Sequence, residues 1–114
     1  MKTLLIAYTF LTILSSCEKN KSTGSIPACI EDKINELKNK PKYNPPATVI
    51  QYEYSGKEVY YFTSDCCDQF NLLYNDNCQL ICAPDGGFTG SGDGKCTDFK
   101  NKKSNEKIIW KDSR

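Results

Sequence analysis

The residues best placed to do chemistry lie between 82 and 98, which read Cys-Ala-Pro-Asp-Gly-Gly-Phe-Thr-Gly-Ser-Gly-Asp-Gly-Lys-Cys-Thr-Asp. Three aspartates, Asp85, Asp93 and Asp98, and five glycines crowd into this one stretch. Glycine loses more conformational freedom on folding than any other residue, so its density points to a backbone path that must turn sharply. The plainest reading is a loop closed by a disulfide, with Asp93-Gly94 as its turn. An alternative is a calcium site: carboxylates on such a chain could supply some of the about six to eight oxygens that calcium takes, although their order departs from the EF-hand spacing. A third reading is a partner-binding loop, in which a rigid turn displaying Asp85, Phe88, Ser91, Asp93 and Lys95 docks with little loss of entropy. A phosphate cradle is disfavoured, because Gly90-x-Gly92 does not open a dinucleotide-binding helix and the aspartates would repel the anion. Beyond calcium, no cofactor is expected.

Catalysis has little to work with. The 114 residues contain no histidine, which removes the usual general base, zinc ligand and pH switch. The serines have no identifiable base. A carboxylate pair drawn from Asp85, Asp93 and Asp98 would sit on a loop with no visible cleft. A non-enzymatic protein is therefore expected. Fifteen basic against fourteen acidic side chains give a net charge of +1, without the basic excess of a nucleic-acid binder.

Of the seven cysteines, Cys17 stands apart near the start. The other six, Cys29, Cys66, Cys67, Cys78, Cys82 and Cys96, form an even set that an oxidising compartment would bridge. A thiolate zinc cluster or a redox-active vicinal pair competes with that reading, but histidine and a Cys-x-x-C motif are both missing. Neighbouring residues sit about 3.8 Å apart at Cα, below the usual disulfide range, so Cys66 and Cys67 should take separate partners. Cys78 and Cys82 lie in an apolar, strand-like run that would hold them about 13 Å apart, so they should not pair. The preferred pattern joins Cys82 to Cys96, closing the glycine-rich loop, and ties Cys29 to the Cys66/Cys67 pair.

The start of the chain reads as an address. Met1-Lys2 precedes an apolar stretch from Leu4 to Leu14, too short to span a bilayer, which takes about 20 residues, yet suited to the apolar region of a secretory signal. The following Leu14-Ser15-Ser16-Cys17 resembles the lipobox of bacterial lipoproteins. That resemblance implies a signal peptide over 1–16, acylation of Cys17, and a lipid anchor in the bacterial cell envelope, with the outer membrane expected and its face open. Residues 17–25 would then be the lipidated cysteine and a polar tether, whose last eight residues reach roughly 26 Å when extended. The folded domain would be 26–114. Without residues 1–16 the chain holds fourteen acidic and fourteen basic side chains and only 17 of Leu, Ile, Val and Phe. Such a small core makes disulfides, at about 2–4 kcal/mol each, comparable to the whole net stability.

The elements that must position these residues follow from periodicity. Ser25 to Lys40 reads as a helix, capped by Ser25, with Pro27 in its first turn and Pro41 as its stop. Ile26, Ile30, Ile34 and Leu37 share its apolar face. Thr48 to Phe62 reads as a hairpin. A three-residue loop, Tyr54-Ser55-Gly56, would set Glu53 opposite Lys57 and avoid the like-charge pair Glu53–Glu58 that a two-residue turn creates. Phe70 to Tyr74 reads as a helical turn, Gln79 to Ala83 as a third strand, and Lys107 to Lys111 as a last strand whose lysines suit a sheet edge. The expected fold is α+β: one N-terminal helix packed on a small antiparallel sheet of about four strands, stapled by disulfides.

Three stretches carry a wider likeness: Tyr-Glu-Tyr-Ser-Gly-Lys-Glu-Val-Tyr-Tyr-Phe at 52–62, Cys66-Cys67-Asp68-Gln69-Phe70, and Ile81 through Cys96. Over most of 26–112 the chain resembles a family of short bacterial lipoproteins carrying an uncharacterised domain, which brings no activity with it. The run Gly90-Ser91-Gly92-Asp93-Gly94-Lys95 is also similar to the Ser-Gly-Ser-Gly motif of periplasmic lysozyme inhibitors, where a serine and a basic group enter a cleft lined by two carboxylates. That likeness implies inhibition of a secreted hydrolase, a lysozyme or protease, with Ser91 and Lys95 as contacts. The expectation is a lipid-anchored envelope protein that binds or supports without catalysing, with hydrolase inhibition and calcium binding as alternatives.

Overall fold

A computed structural model describes residues 25–114; the expected signal peptide, Cys17 and the tether up to residue 24 lie outside the described residues. The elements are α1 (Ala28–Lys38), β1 (Thr48–Tyr54), β2 (Lys57–Phe62), β3 (Phe70–Asn75), β4 (Leu80–Gly86), α2 (Phe99–Lys102) and β5 (Ser104–Lys111). The strands form one antiparallel sheet in the order β4-β3-β2-β1-β5. The α+β architecture is as expected, with five strands where about four were anticipated. Among the described residues, no helix is long and apolar enough to cross a membrane.

Helix α1 is shorter than the expected 25–40. Pro27, not Ser25, occupies its N-cap position, and no side chain caps it there. Its fixed φ suits the entry to a helix, and its missing N–H leaves one fewer donor to satisfy. Ile30 and Ile34 are buried against Val49, Tyr60 and Phe62 of the sheet, with Ile26 and Leu37 packed beside them. At the far end, the Arg114 guanidinium donates to the carbonyls of Leu37, Lys38 and Lys40 at 3.3, 3.0 and 2.8 Å. A cation there meets the negative end of the helix dipole and satisfies carbonyls that the helix itself leaves bare.

The hairpin departs from the expected register. Glu53 does face Glu58, across a two-residue turn at Ser55-Gly56. Both turn residues hold positive φ, 52° and 74°, the arrangement whose twist matches that of the flanking strands. Turn geometry outweighs the like charges because both glutamates are exposed and screened. Asn105 Nδ2 also donates to Glu53 Oε2 at 2.6 Å.

Residues 70–74 are strand, not a helical turn. Phe70, Leu72 and Tyr74 alternate with Asn71, Leu73 and Asn75, and β3 pairs on both sides, for instance Tyr61 with Leu73 and Leu73 with Cys82. A short apolar run does not reveal its period until its neighbours are known.

The sheet carries an apolar cluster on each face. One is the α1 face. The other gathers Tyr52, Val59, Leu73 and Cys82 under Cys96 and Phe99. The Phe99 ring lies 5.4, 5.3 and 6.3 Å from those of Tyr52, Tyr54 and Tyr61, so aromatic rings fill a core that has few aliphatic side chains.

Two of the four disulfide expectations change, while Cys78 and Cys82 stay unpaired with each other as expected. Cys82–Cys96 forms as expected, but Cys29 pairs with Cys78, and Cys66 bonds its neighbour Cys67. Lys33 lies over the Tyr74 ring, and Leu37 near the end of α1 and Lys40 just beyond it line a groove with Phe70. The helix thus runs opposite to β3, and Cys29 meets the turn after β3 while Cys66 and Cys67 sit before it. The vicinal bond is possible because both cysteines leave the extended conformation, with φ of 29° and 57°; an extended chain would point the two side chains to opposite sides.

Candidate functional site

Two loops meet where β3 begins and β4 ends. Residues 63–69 join β2 to β3, and 87–98 join β4 to α2. The Gly87 N–H donates to the Gln69 carbonyl at 2.9 Å. The Phe70 ring lies so close to the Gly87 backbone that a Cβ there would stand 2.4 Å from Phe70 Cε1. Phe70 is 47% exposed and Phe88, next to Gly87, is 91% exposed.

The glycine-rich loop folds back onto the outer edge of β4. Asp93 N–H donates to the Ala83 carbonyl at 2.9 Å, and its carboxylate accepts from the N–H groups of Ala83 and Lys95, each at 3.0 Å. These contacts occupy edge groups that would otherwise invite a foreign strand. Gly92 makes the approach possible: its φ is +71°, and a Cβ would stand 2.0 Å from the Ala83 carbonyl oxygen. The Lys95 N–H, then the Ala83 N–H and the Lys95 charge, hold the Asp93 carboxyl below the usual carboxylate range.

Three further N–H groups of the loop bond within it: Gly90 to Gly87, Gly92 to Gly86, and Ser91 to Thr89 Oγ1 at 3.3 Å. The donors of Gly90-x-Gly92 are therefore spent on the loop itself rather than turned toward an anion.

Asp85 is half-buried and accepts from Tyr61 Oη at 2.7 Å and Asn71 Nδ2 at 2.7 Å. Asn71 Oδ1 in turn accepts from the N–H and hydroxyl of Ser64 at 2.8 and 3.0 Å. Burial first, and then the bond to Asp85, push the Tyr61 phenol far above its ordinary value. Asp98 accepts from Tyr54 Oη at 2.5 Å and pairs with Lys102 at 3.2 Å. Those two partners, the tyrosine first, draw its carboxyl down.

The three aspartates weighed as calcium ligands are therefore not brought together. Each is engaged by its own protein donors, and among the described residues no group of three or more His, Cys, Asp or Glu is arranged to hold a metal. Of the five residues weighed for partner binding, Asp85 and Asp93 build the loop from within. Phe88, Ser91 and Lys95 are exposed and displayed. Phe70 and the Cys66–Cys67 loop join this surface without having been singled out for it. The signal was there in the alternation of Phe70, Leu72 and Tyr74, which marks a strand carrying the 63–69 loop to the end of the sheet. Phe70 also lines a groove of about 210 Å³ between α1 and β3, with Leu37, Tyr43, Phe62, Leu72 and Tyr74.

These features define a disulfide-bonded α+β domain whose sheet is covered on one face by a helix and on the other by Cys96 and by Phe99 of α2. Residues 35–112 match DUF6970, a domain of unknown function, and the chain belongs to that family. The match spans all five strands and both loops and begins within α1, so Cys29 lies ahead of it. No curated protein and no solved structure matches the chain.

Proposed function

We propose that this chain is a lipid-anchored protein of the bacterial cell envelope that acts without catalysis, by docking a protein partner on the loop that carries Phe88. The supporting observation is a phenyl ring 91% exposed on a loop held by the N–H groups of Gly87, Gly90, Ser91, Gly92, Asp93 and Lys95. A rigid loop loses little entropy on docking, and an aromatic side chain that enters a partner's pocket is the commonest kind of binding anchor. Phe70, leaning on Gly87, widens the apolar surface beside it. The basic start, the apolar run and Leu14-Ser15-Ser16-Cys17 support acylation of Cys17, and the polar tether would leave the loop free to reach a partner.

In-cell crosslinking tests the docking surface. Phe88→Ser should weaken capture of a discrete partner by roughly thirtyfold, the loss of an anchor worth about 2 kcal/mol, while the melting temperature stays unchanged. An identical set of adducts from the variant would overturn the reading. Labelled palmitate tests the anchor: the wild-type chain should incorporate it and Cys17→Ala should not. Equal incorporation by both would remove the anchor from the proposal.

The exposed Ser91 and Lys95 give hydrolase inhibition a place as a second reading. The domain would then slow members of a lysozyme and protease panel, and Ser91→Ala with Lys95→Ala would relieve it. A panel left uniformly active would eliminate this class of partner.

A further inference from the structure

The three disulfides are not equivalent. Cys29–Cys78 and Cys82–Cys96 span 49 and 14 residues of sequence, so each removes freedom from the unfolded chain in proportion to the logarithm of the loop it closes. Cys66–Cys67 spans 1. It closes no loop, and stabilisation of that kind is absent. Packing does not explain it either. Cys82 and Cys96 are buried, and Cys29 and Cys78 half-buried against the α1 cluster, whereas Cys66 and Cys67 are both exposed and belong to neither core.

The segment around the pair is held by other bonds. Asp65 Oδ1 accepts from the Asn44 N–H at 3.1 Å, and the Ser64 N–H donates to Asn71 Oδ1 at 2.8 Å. Asp68 N–H donates to the Cys66 carbonyl at 3.1 Å. Both cysteines hold a positive φ, the backbone geometry that lets neighbouring sulfurs meet.

We propose that Cys66–Cys67 is a surface thiol–disulfide exchange site, which takes two electrons from thiols, while the other two disulfides staple the fold. A thiolate attacks one Sγ of this exposed pair, forms a mixed disulfide with it, and expels the other cysteine's sulfur as a thiolate, which takes a proton from water. A second thiolate attacks the outer sulfur of that mixed disulfide, releases the oxidised thiol dimer, and leaves the first cysteine as a thiolate that is protonated in turn. Two thiols become one disulfide, and the vicinal disulfide becomes a dithiol. Solvent access to both sulfurs is what such an attack requires, and the buried Cys82–Cys96 bridge lacks it.

Graded reduction of the folded chain tests this. The protein is equilibrated with increasing dithiothreitol, trapped with iodoacetamide, and mapped by peptide mass, with melting followed in parallel. Without reductant no cysteine of the six should be alkylated. The first two labels should fall on Cys66 and Cys67, at roughly tenfold less reductant than the other four need, with the melting temperature within about 1 °C of its starting value. Free thiols at Cys66 and Cys67 before reduction would overturn the proposal. So would opening of Cys29–Cys78 or Cys82–Cys96 at the same concentration. The double variant Cys66→Ser/Cys67→Ser supplies the control. It should melt with the wild type and lose the first reduction step, and a melting temperature as low as that of Cys82→Ala/Cys96→Ala would show a staple instead.

Discussion

Asp112 is buried, donates its N–H to the Ala47 carbonyl, and accepts from the Arg114 guanidinium at 2.7 Å. The same guanidinium reaches the carbonyls at the end of α1, so one carboxylate orients the cation that closes the helix. The Arg114 side chain, first among the causes, lowers the Asp112 carboxyl to about 2. A carboxyl lowered on folding stabilises the native state above its unfolded value of about 4, and that contribution is lost as pH falls through about 2. Melting temperature should therefore drop between pH 4 and 2, and Asp112→Asn should melt lower at neutral pH and flatten this part of the profile. An unchanged slope would mean that the clamp does not matter to stability. Residue types announced themselves only in part. Phe88, Ser91 and Lys95 were legible as displayed groups, because small and glycine neighbours leave them nowhere to be buried. The engagement of Asp85 with Tyr61 and Asn71 was not, because those partners lie 24 and 14 residues away.

At the scale of elements, the glycine-rich loop acts as a cover strip for β4. Gly92 is the point of closest approach, so Gly92→Ala should destabilise the domain by about 2 kcal/mol or more through overlap with Ala83 and a strained φ. Gly94→Ala makes the comparison: its φ of +79° is also left-handed, but a Cβ there meets nothing within 4 Å, and a loss of about 1 kcal/mol is expected. Denaturant melts of the two variants decide it, and equal losses would mean that the Ala83 contact is not what fixes the loop. Helix α1 was readable from its apolar stripe because a helix of that spacing buries one face wherever it docks. The hairpin was readable as a hairpin, but not in its register, since the Ser55-Gly56 turn conformation and the Asn105 contact to Glu53 are decided by backbone twist and by β5. Strand β3 was hidden for a different reason: its apolar residues are partnered from both sides, by β2 and β4, and a short apolar run does not show its period without them.

Across the whole molecule, tyrosine does much of the work that aliphatic residues do elsewhere, and this gives the fold an alkaline limit. Burial, with the nearby charges of Glu58 and Asp76, pushes the Tyr60 phenol up to about 12, and burial raises Tyr52 and Tyr61 as well. An acid raised on folding stabilises the native state below its unfolded value, about 10 for a phenol, and that contribution disappears as pH rises toward the folded value. Part of the phenolate absorbance should thus emerge only as circular dichroism is lost above about pH 10; ionisation of every tyrosine with the fold intact would contradict the packing described. The sequence by itself determined the class of fold, the helix and its buried stripe, the closure of the loop by Cys82–Cys96, and the absence of histidine, because composition and short-range periodicity are local properties. Only the tertiary structure decided the direction of α1 along β3, and with it the pairing of Cys29 to Cys78 and of Cys66 to its neighbour. It also dispersed the three aspartates to separate partners and set the Phe70 ring against Gly87. Those outcomes depend on which distant strands meet, and pairing across a sheet is fixed by packing on both of its faces rather than by any one segment.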